Sequence, residues 1–326
     1  MTYHRPTASL LHFFLGAAAF ALATSASAQG YPAKPVRYLI PMSPGSGADT
    51  IGRIVTSGMS QALGQQVVID NRTGAAGNIG AELAAKSAPD GYTVFQASMT
   101  HAVNATLYTN LAYDLTRDFA AVTLIATSPS IVVVHPSLPV KSMAELVKLA
   151  KARPGAINYA STGAGTATFL AAEMFKTLAA IDLAHVPYRG GGEAITAVLT
   201  GEVPVYFSPL ATALPLVQAG RLRALAVTTP RRLPALAYPT VAELGYPGYE
   251  AGNWYGLVVP AKTPREAIVT LHSAVVAALK SPAVSKRMDD LGYVASGNAP
   301  DEFAAFIKLE IEKLAKILRQ VGAKPE

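Results

Sequence analysis

Apolar and polar positions along this chain alternate between two periods, and that alternation predicts an α/β protein. Short runs rich in β-branched and aromatic residues read as buried strands at Val36–Ile40 (VRYLI) and at 66–70, 92–97, 157–160, 184–188, 203–207, 222–227 and 253–259. Between them, apolar residues recur three and four apart. Ile51, Ile54 and Val55 share one helical face, as do Leu170, Ala171, Met174 and Phe175. Further helices are predicted over 74–86, 142–152, 193–199, 264–279, 283–291 and 300–321, the second opened by Ser142 with Glu145 at the capping-box position. Strand–helix alternation implies mainly parallel sheets. The β-rich run 122–134, broken at Ser128-Pro129, predicts a crossing between two lobes, and 253–259 the return, with Trp254 as packing near the hinge.

Two strand–helix junctions share one device. Pro41 ends the first strand, and Met42-Ser43-Pro44-Gly45-Ser46-Gly47 leads into a helix that Ser46 or Asp49 caps. Its counterpart is Ser161-Thr162-Gly163-Ala164-Gly165-Thr166. Glycines permit positive φ, and the first N–H groups of a helix together with its dipole favour an anion. A plain tight turn is the competing reading of the first loop taken alone. Its repetition in the second half favours two lobes that offer backbone donors and hydroxyls to one ligand in the cleft. Ser98-Met99-Thr100-His101 closes another strand, where His101 would donate to a carboxylate, although a lone histidine is more often a structural hydrogen-bonder.

The first residues change the picture of location. Arg5 precedes an apolar stretch over 10–23, too short to span a bilayer, and Ala26-Ser27-Ala28 is a small-x-small cleavage site. This predicts a secretory signal peptide over 1–28, with a retained anchor as the alternative. The chain has no cysteine, so a lipid-modified N-terminal Cys, disulfides and Cys–metal sites are excluded. An exported, cysteine-free, unanchored chain fits the periplasm. The net charge of +6 falls to +5 once Arg5 leaves, and the basic residues are scattered, with Arg231-Arg232 the one Arg-Arg doublet. That gives no basic stripe for nucleic acid. No HExxH, GxSxG or Walker A pattern occurs, and Thr168 stands where a dinucleotide fingerprint beginning at Gly163 needs its third glycine. The expectation is therefore a binder without catalytic residues, metal or cofactor. The rivals are an exported hydrolase or transferase using Ser46 or Ser161, and a phosphate or nucleotide binder using the same loops.

Eight motifs then carry a resemblance: PMSPGSGAD (41–49), IDNRTGAAGNIGAE (69–82), APDGYT (88–93), YASTGAGT (159–166), HVPYRG (185–190), GRLRALAVT (220–228), PTVAELG (239–245) and WYGLVVPAKTP (254–264). Together they resemble the Bug/TctC family, the periplasmic solute-binding receptors of tripartite tricarboxylate transporters, over essentially the whole mature chain. The resemblance implies a two-lobed, type II-like periplasmic binding protein, its lobes joined by crossing strands. Lobe one is expected over 29–126 and 251–326, and lobe two over 127–250. The resemblance further implies a ligand carboxylate between 43–48 and 161–166, held by backbone N–H groups, hydroxyls and ordered waters, with 98–101 also lining the pocket. The expected ligand set is Met42, Ser43, Pro44, Gly45, Ser46, Gly47, Met99, His101, Ser161, Gly163, Gly165, Thr166, Phe207 and Ser208. Met42, Phe207 and His101 would accept an apolar or aromatic body. A membrane permease is the implied partner of a monomeric receptor. Departures from the family pattern are Met42, Ser43-Pro44, Ala197, Pro204 and Ser208; at the last three positions the family often has an Asp, and its loss weighs against an ammonium-bearing ligand.

Overall fold

The structure, a computed structural model, describes Met1 and residues 30–233, 236–320 and 322. Apart from Met1, the expected signal peptide lies outside the described residues. Ten strands form one curled mixed sheet. In its first half, β1 (Val36–Ile40), β2 (Val67–Asn71) and β3 (Thr93–Ser98) run parallel, and β9 (Gly252–Pro260) pairs antiparallel with β3. In the second, β5 (Asn158–Ser161), β6 (Ala184–Pro187) and β7 (Val205–Pro209) run parallel.

Strand β4 (Phe119–Val134) belongs to both halves. It pairs with β9 over Phe119–Pro129, with β7 over Ser130–Val134, and with β8 (Arg223–Val227) beyond Ile131. The expected break at Ser128-Pro129 is therefore absent. Proline sits where the strand changes partners and no ladder donor is missed. Opposite it, Gly252 has φ +157°, and a Cβ there would lie 2.6 Å from the Ser128 carbonyl oxygen, so the return crossing demands glycine. Ser98 at the end of β3 lies level with Tyr255 and Ala126, whereas Pro209 at the end of β7 lies level with Ser130. Four strand residues span about 13 Å. The C-terminal ends of the two sets of parallel strands thus face each other across the crossing.

Helices cover both faces of each half. The first half buries Tyr38, Ile51 and Leu271 under α1 (Gly47–Leu63), α8 (Arg265–Lys280) and α9 (Pro282–Asp290). Its other face buries Phe95, Trp254 and Phe303 under α2 (Asn78–Ala85), α3 (Met99–Leu107) and α10 (Pro300–Gln320). In the second half α4 (Met143–Ala152) and α5 (Ala167–Ala179) enclose Phe175 and Phe207, while α6 (Gly191–Leu199) and α7 (Leu210–Gln218) cover Tyr206. Leu170 of α5 crosses to pack with the Met99 and Trp254 cluster. Trp254 meets Phe303 and Phe306 edge-on, which is the structural role expected of it. Helices α3 and α7 and the short β10 (Val294–Ala295) were not legible as periodic segments; α7 even contains Pro215.

Candidate carboxylate site

Asp49 organises the loop between β1 and α1. Its buried carboxylate accepts the Gly45 N–H at 2.9 Å, Arg53 Nε at 2.8 Å and Asn71 Nδ2 at 3.0 Å. Asn71 also donates to the Met42 carbonyl. Burial alone would raise the Asp49 carboxyl, but Arg53, the Gly45 N–H and Asn71 outweigh it and hold the group below the usual carboxylate range. The Ser46 hydroxyl accepts the Asp49 N–H as the helix cap. The Gly45 donor, expected to hold ligand, is thus spent inside the loop, whereas the Ser46 hydroxyl accepts the cap bond and keeps its own proton to donate. Ser43, Pro44 and Gly47 stay exposed and Met42 half-buried. The N–H groups of Gly47 and Ala48 in the first helical turn have no partner among the described residues.

His101 does not reach the cleft. It is fully buried, and its Nδ1 accepts the Ser98 N–H at 3.0 Å, completing a capping box with Ser98 at the start of α3. Phe95 packs against the ring at 5.0 Å. Burial pushes the imidazole down to about 4, with its hydrogen bond at Ser98 opposing the shift. The structural role outweighs the ligand role that its place at a strand end suggested.

The second loop is bonded to itself. Ser161 Oγ accepts the Gly163 N–H at 3.0 Å and lies 2.6 Å from His185 Nε2. Thr168 Oγ1 accepts the Thr162 N–H, and the Thr166 hydroxyl donates to the Gly163 carbonyl at 2.7 Å. Gly163 and Gly165 have φ of +113° and +75°. These bonds leave the N–H groups of Ala164, Gly165 and the first turn of α5 without partners among the described residues. No side chain caps α5, α6 or α7, whereas α1 and α3 are capped by their own residues.

Residues 51–323 match the family model described as tripartite tricarboxylate transporter family receptor, TctC. The chain belongs to this family. A Pseudomonas sp. (strain P51) protein from the tcbD–tcbE intergenic region is 36% identical over 310 residues, covering 93% of this chain and 92% of that protein. Protein BugT of Bordetella pertussis is 34% identical over 306 residues, covering 93% and 94%. Among solved structures, one described as a periplasmic transporter shares 39% identity at a TM-score of 0.80, covering 90% of this chain and 99% of its own. R. palustris Rpa4515 with adipate shares 34% at 0.81, covering 91% and 100%. MatC of Rhodopseudomonas palustris with bound malate shares 29% at 0.76, covering 88% and 100%.

In this TctC receptor two further expected contacts are core residues. Phe207 is fully buried and packs against Phe175 at 5.8 Å, because it points to the α5 face of the sheet. Ser208 is also fully buried, its hydroxyl donating to the Pro209 carbonyl. Strand alternation sends these neighbours to opposite faces, and helices cover both.

A cavity of about 640 Å³ joins the halves beside this site, walled by α5 and α10 and floored by the crossing strands. Met99 and Ala167 line it, whereas Met42–Gly47 and Ser161–Thr166 do not. The sequence reading missed His185 as a partner of Ser161. Its only signal was the motif HVPYRG, and no spacing rule connects the two. The pair looks like a nucleophile and base, yet Ser161 is 0% exposed and its oxygen already holds the Gly163 N–H. Among the described residues no group of three His, Asp or Glu side chains is placed to hold a metal ion.

Proposed function

We propose that this receptor captures a small organic carboxylate without an amino group in the periplasm and passes it, unchanged, to a membrane permease of the tripartite tricarboxylate transporter type. The observation that carries this reading is the loop 161–168, whose internal bonds leave a cluster of N–H donors at the uncapped start of α5. Such a cluster favours an anion. The acid beside the first loop, Asp49, is already paired with Arg53 and offers no free charge to an ammonium group. Solved relatives hold adipate and malate, which supports the ligand class. With Phe207 and His101 in the core, the reason for preferring an aromatic acid lapses. Lobes at 29–126 with 251–326 and at 127–250 close on the ligand, and the receptor acts as a monomer.

Calorimetric titration of adipate, malate, citrate, nicotinate, terephthalate, aspartate and glutamate tests this, with mass spectrometry of the recovered ligand. The expected result is binding of one or more of the acids that lack an amino group, recovered intact. Tight binding of aspartate or glutamate with the others silent overturns the ligand class; conversion of the ligand overturns the receptor role.

A further inference from the structure

The bond between Ser161 and His185 has a direction. A hydroxyl carries one proton and two lone pairs. Ser161 Oγ already accepts the Gly163 N–H, the residue is sealed from solvent, and His185 Nε2 at 2.6 Å is the acceptor its proton can reach among the described residues. Were the hydrogen on Nε2 instead, the Ser161 proton would be buried without a partner, which folded proteins avoid.

We propose that His185, as the Nδ1–H tautomer, is the positioning residue of the carboxylate loop. Its Nε2 takes the Ser161 hydroxyl proton, turns the oxygen onto the Gly163 N–H, and so fixes the backbone from which Ala164 and Gly165 donate. The ring is well placed for this. It stacks on Tyr159 at 5.1 Å and leans against Phe169 at 4.8 Å, so its plane is set by packing. The charged and titratable groups facing it are Glu173 and Lys176 of α5 and Tyr159 of β5. Glu173 accepts from the Tyr159 hydroxyl and from Lys176, and makes no hydrogen bond to the imidazole. Burial holds His185 below its ordinary value, with Glu173 pulling it up and Lys176 down, so the ring is neutral at pH 7. Ser161 and His185 come from adjacent parallel strands, β5 and β6, whose register brings Tyr159 beside His185.

This role rests on the reading of 161–168 as the carboxylate loop, and the test separates the two. Nuclear magnetic resonance on the full chain with ¹⁵N-labelled histidine needs no ligand. The expected spectrum at pH 7 shows His185 with a bare Nε2 and a protonated Nδ1. Hydrogen exchange of the Gly163 amide should quicken about tenfold or more in Ser161→Ala and in His185→Phe, which keeps the stacking but removes the acceptor. The double variant should add nothing further. His185→Gln, whose amide oxygen accepts the hydroxyl proton, should restore slow exchange. With adipate as probe, affinity should fall about tenfold in the same variants and recover in His185→Gln. An Nε2–H tautomer at pH 7, or unchanged Gly163 exchange in folded His185→Phe, overturns the proposal; if that variant does not fold, the wild-type tautomer still decides it. If the wild type does not bind adipate but binds another acid of the calorimetric series, that acid replaces it as probe; if it binds none of them, the ligand class fails, while tautomer and exchange still decide the role of His185.

Discussion

Gly165 of the second half stands against Leu107 of the first: a Cβ at Gly165 would lie 3.1 Å from the Leu107 Cδ1 and 3.5 Å from the Val103 Cγ1. The loop 161–166 therefore lies against α3 across the cleft, and the two halves meet beside the site proposed for the ligand.

A branched side chain at that contact should act as a wedge. Gly165→Val is expected to hold the halves apart, both through the contact and because φ of +75° disfavours a β-branched residue. Small-angle scattering should show a larger radius of gyration than wild type, and carboxylate affinity should fall. Identical scattering from a folded Gly165→Val protein contradicts the cleft geometry.

Thr166 acts through the loop, with its hydroxyl spent on the Gly163 carbonyl. Thr166→Val should weaken ligand binding and lower stability by about 1 kcal/mol, the ordinary net worth of one hydrogen bond. Urea denaturation and calorimetry on the same preparation check both. A loss of affinity with stability untouched would show that the hydroxyl meets the ligand directly.

Strain is concentrated beside Met42 and His101. Ala75 and Ala76 both have positive φ, at 46° and 53°, between Gly74 and Gly77, and Gly77 packs on Pro41, Met42 and His101. Left-handed backbone costs a residue with a Cβ about 1–2 kcal/mol, and glycine gives back about 0.4–1 kcal/mol in unfolded-state entropy. Ala76→Gly should therefore stabilise by about 0.5–1 kcal/mol, read as a higher urea midpoint. A lower midpoint would mean that Ala76 is not in this conformation.

His101 makes stability fall with acid. Its ordinary value near 6.5 drops to about 4 in the fold, so the unfolded chain binds the extra proton between those values. Stability from this group is fully present above pH 6.5 and is lost as pH falls toward 4, by on the order of 3 kcal/mol. His101→Gln keeps an acceptor for the Ser98 N–H, so its stability should be flatter over this range. Parallel acid slopes for the two proteins would rule out His101 as the source.

Much of the architecture follows from the sequence alone. The period-two runs and the Gly-rich junctions placed β1 to β9, most of the helices and both loops, because strand alternation, helical spacing and capping are local rules. The opening of α1 by Ser46 and Asp49 is local in the same sense. Tertiary structure decided what each polar group does. Asp49 is held in the first loop not only by its near neighbours Gly45 and Arg53 but also by Asn71, 22 residues on in β2. Phe207 goes to the core because helices cover the sheet face it points to, and His101 because α3 folds back and lays it on Phe95. Pro129 is carried through β4 because its partners change there. Ser161 finds His185 because β5 and β6 pair in parallel, so that a loop and a ring 24 residues apart become neighbours. Hydrogen-bond partners distant in sequence are set by strand order and register, and no local pattern encodes those.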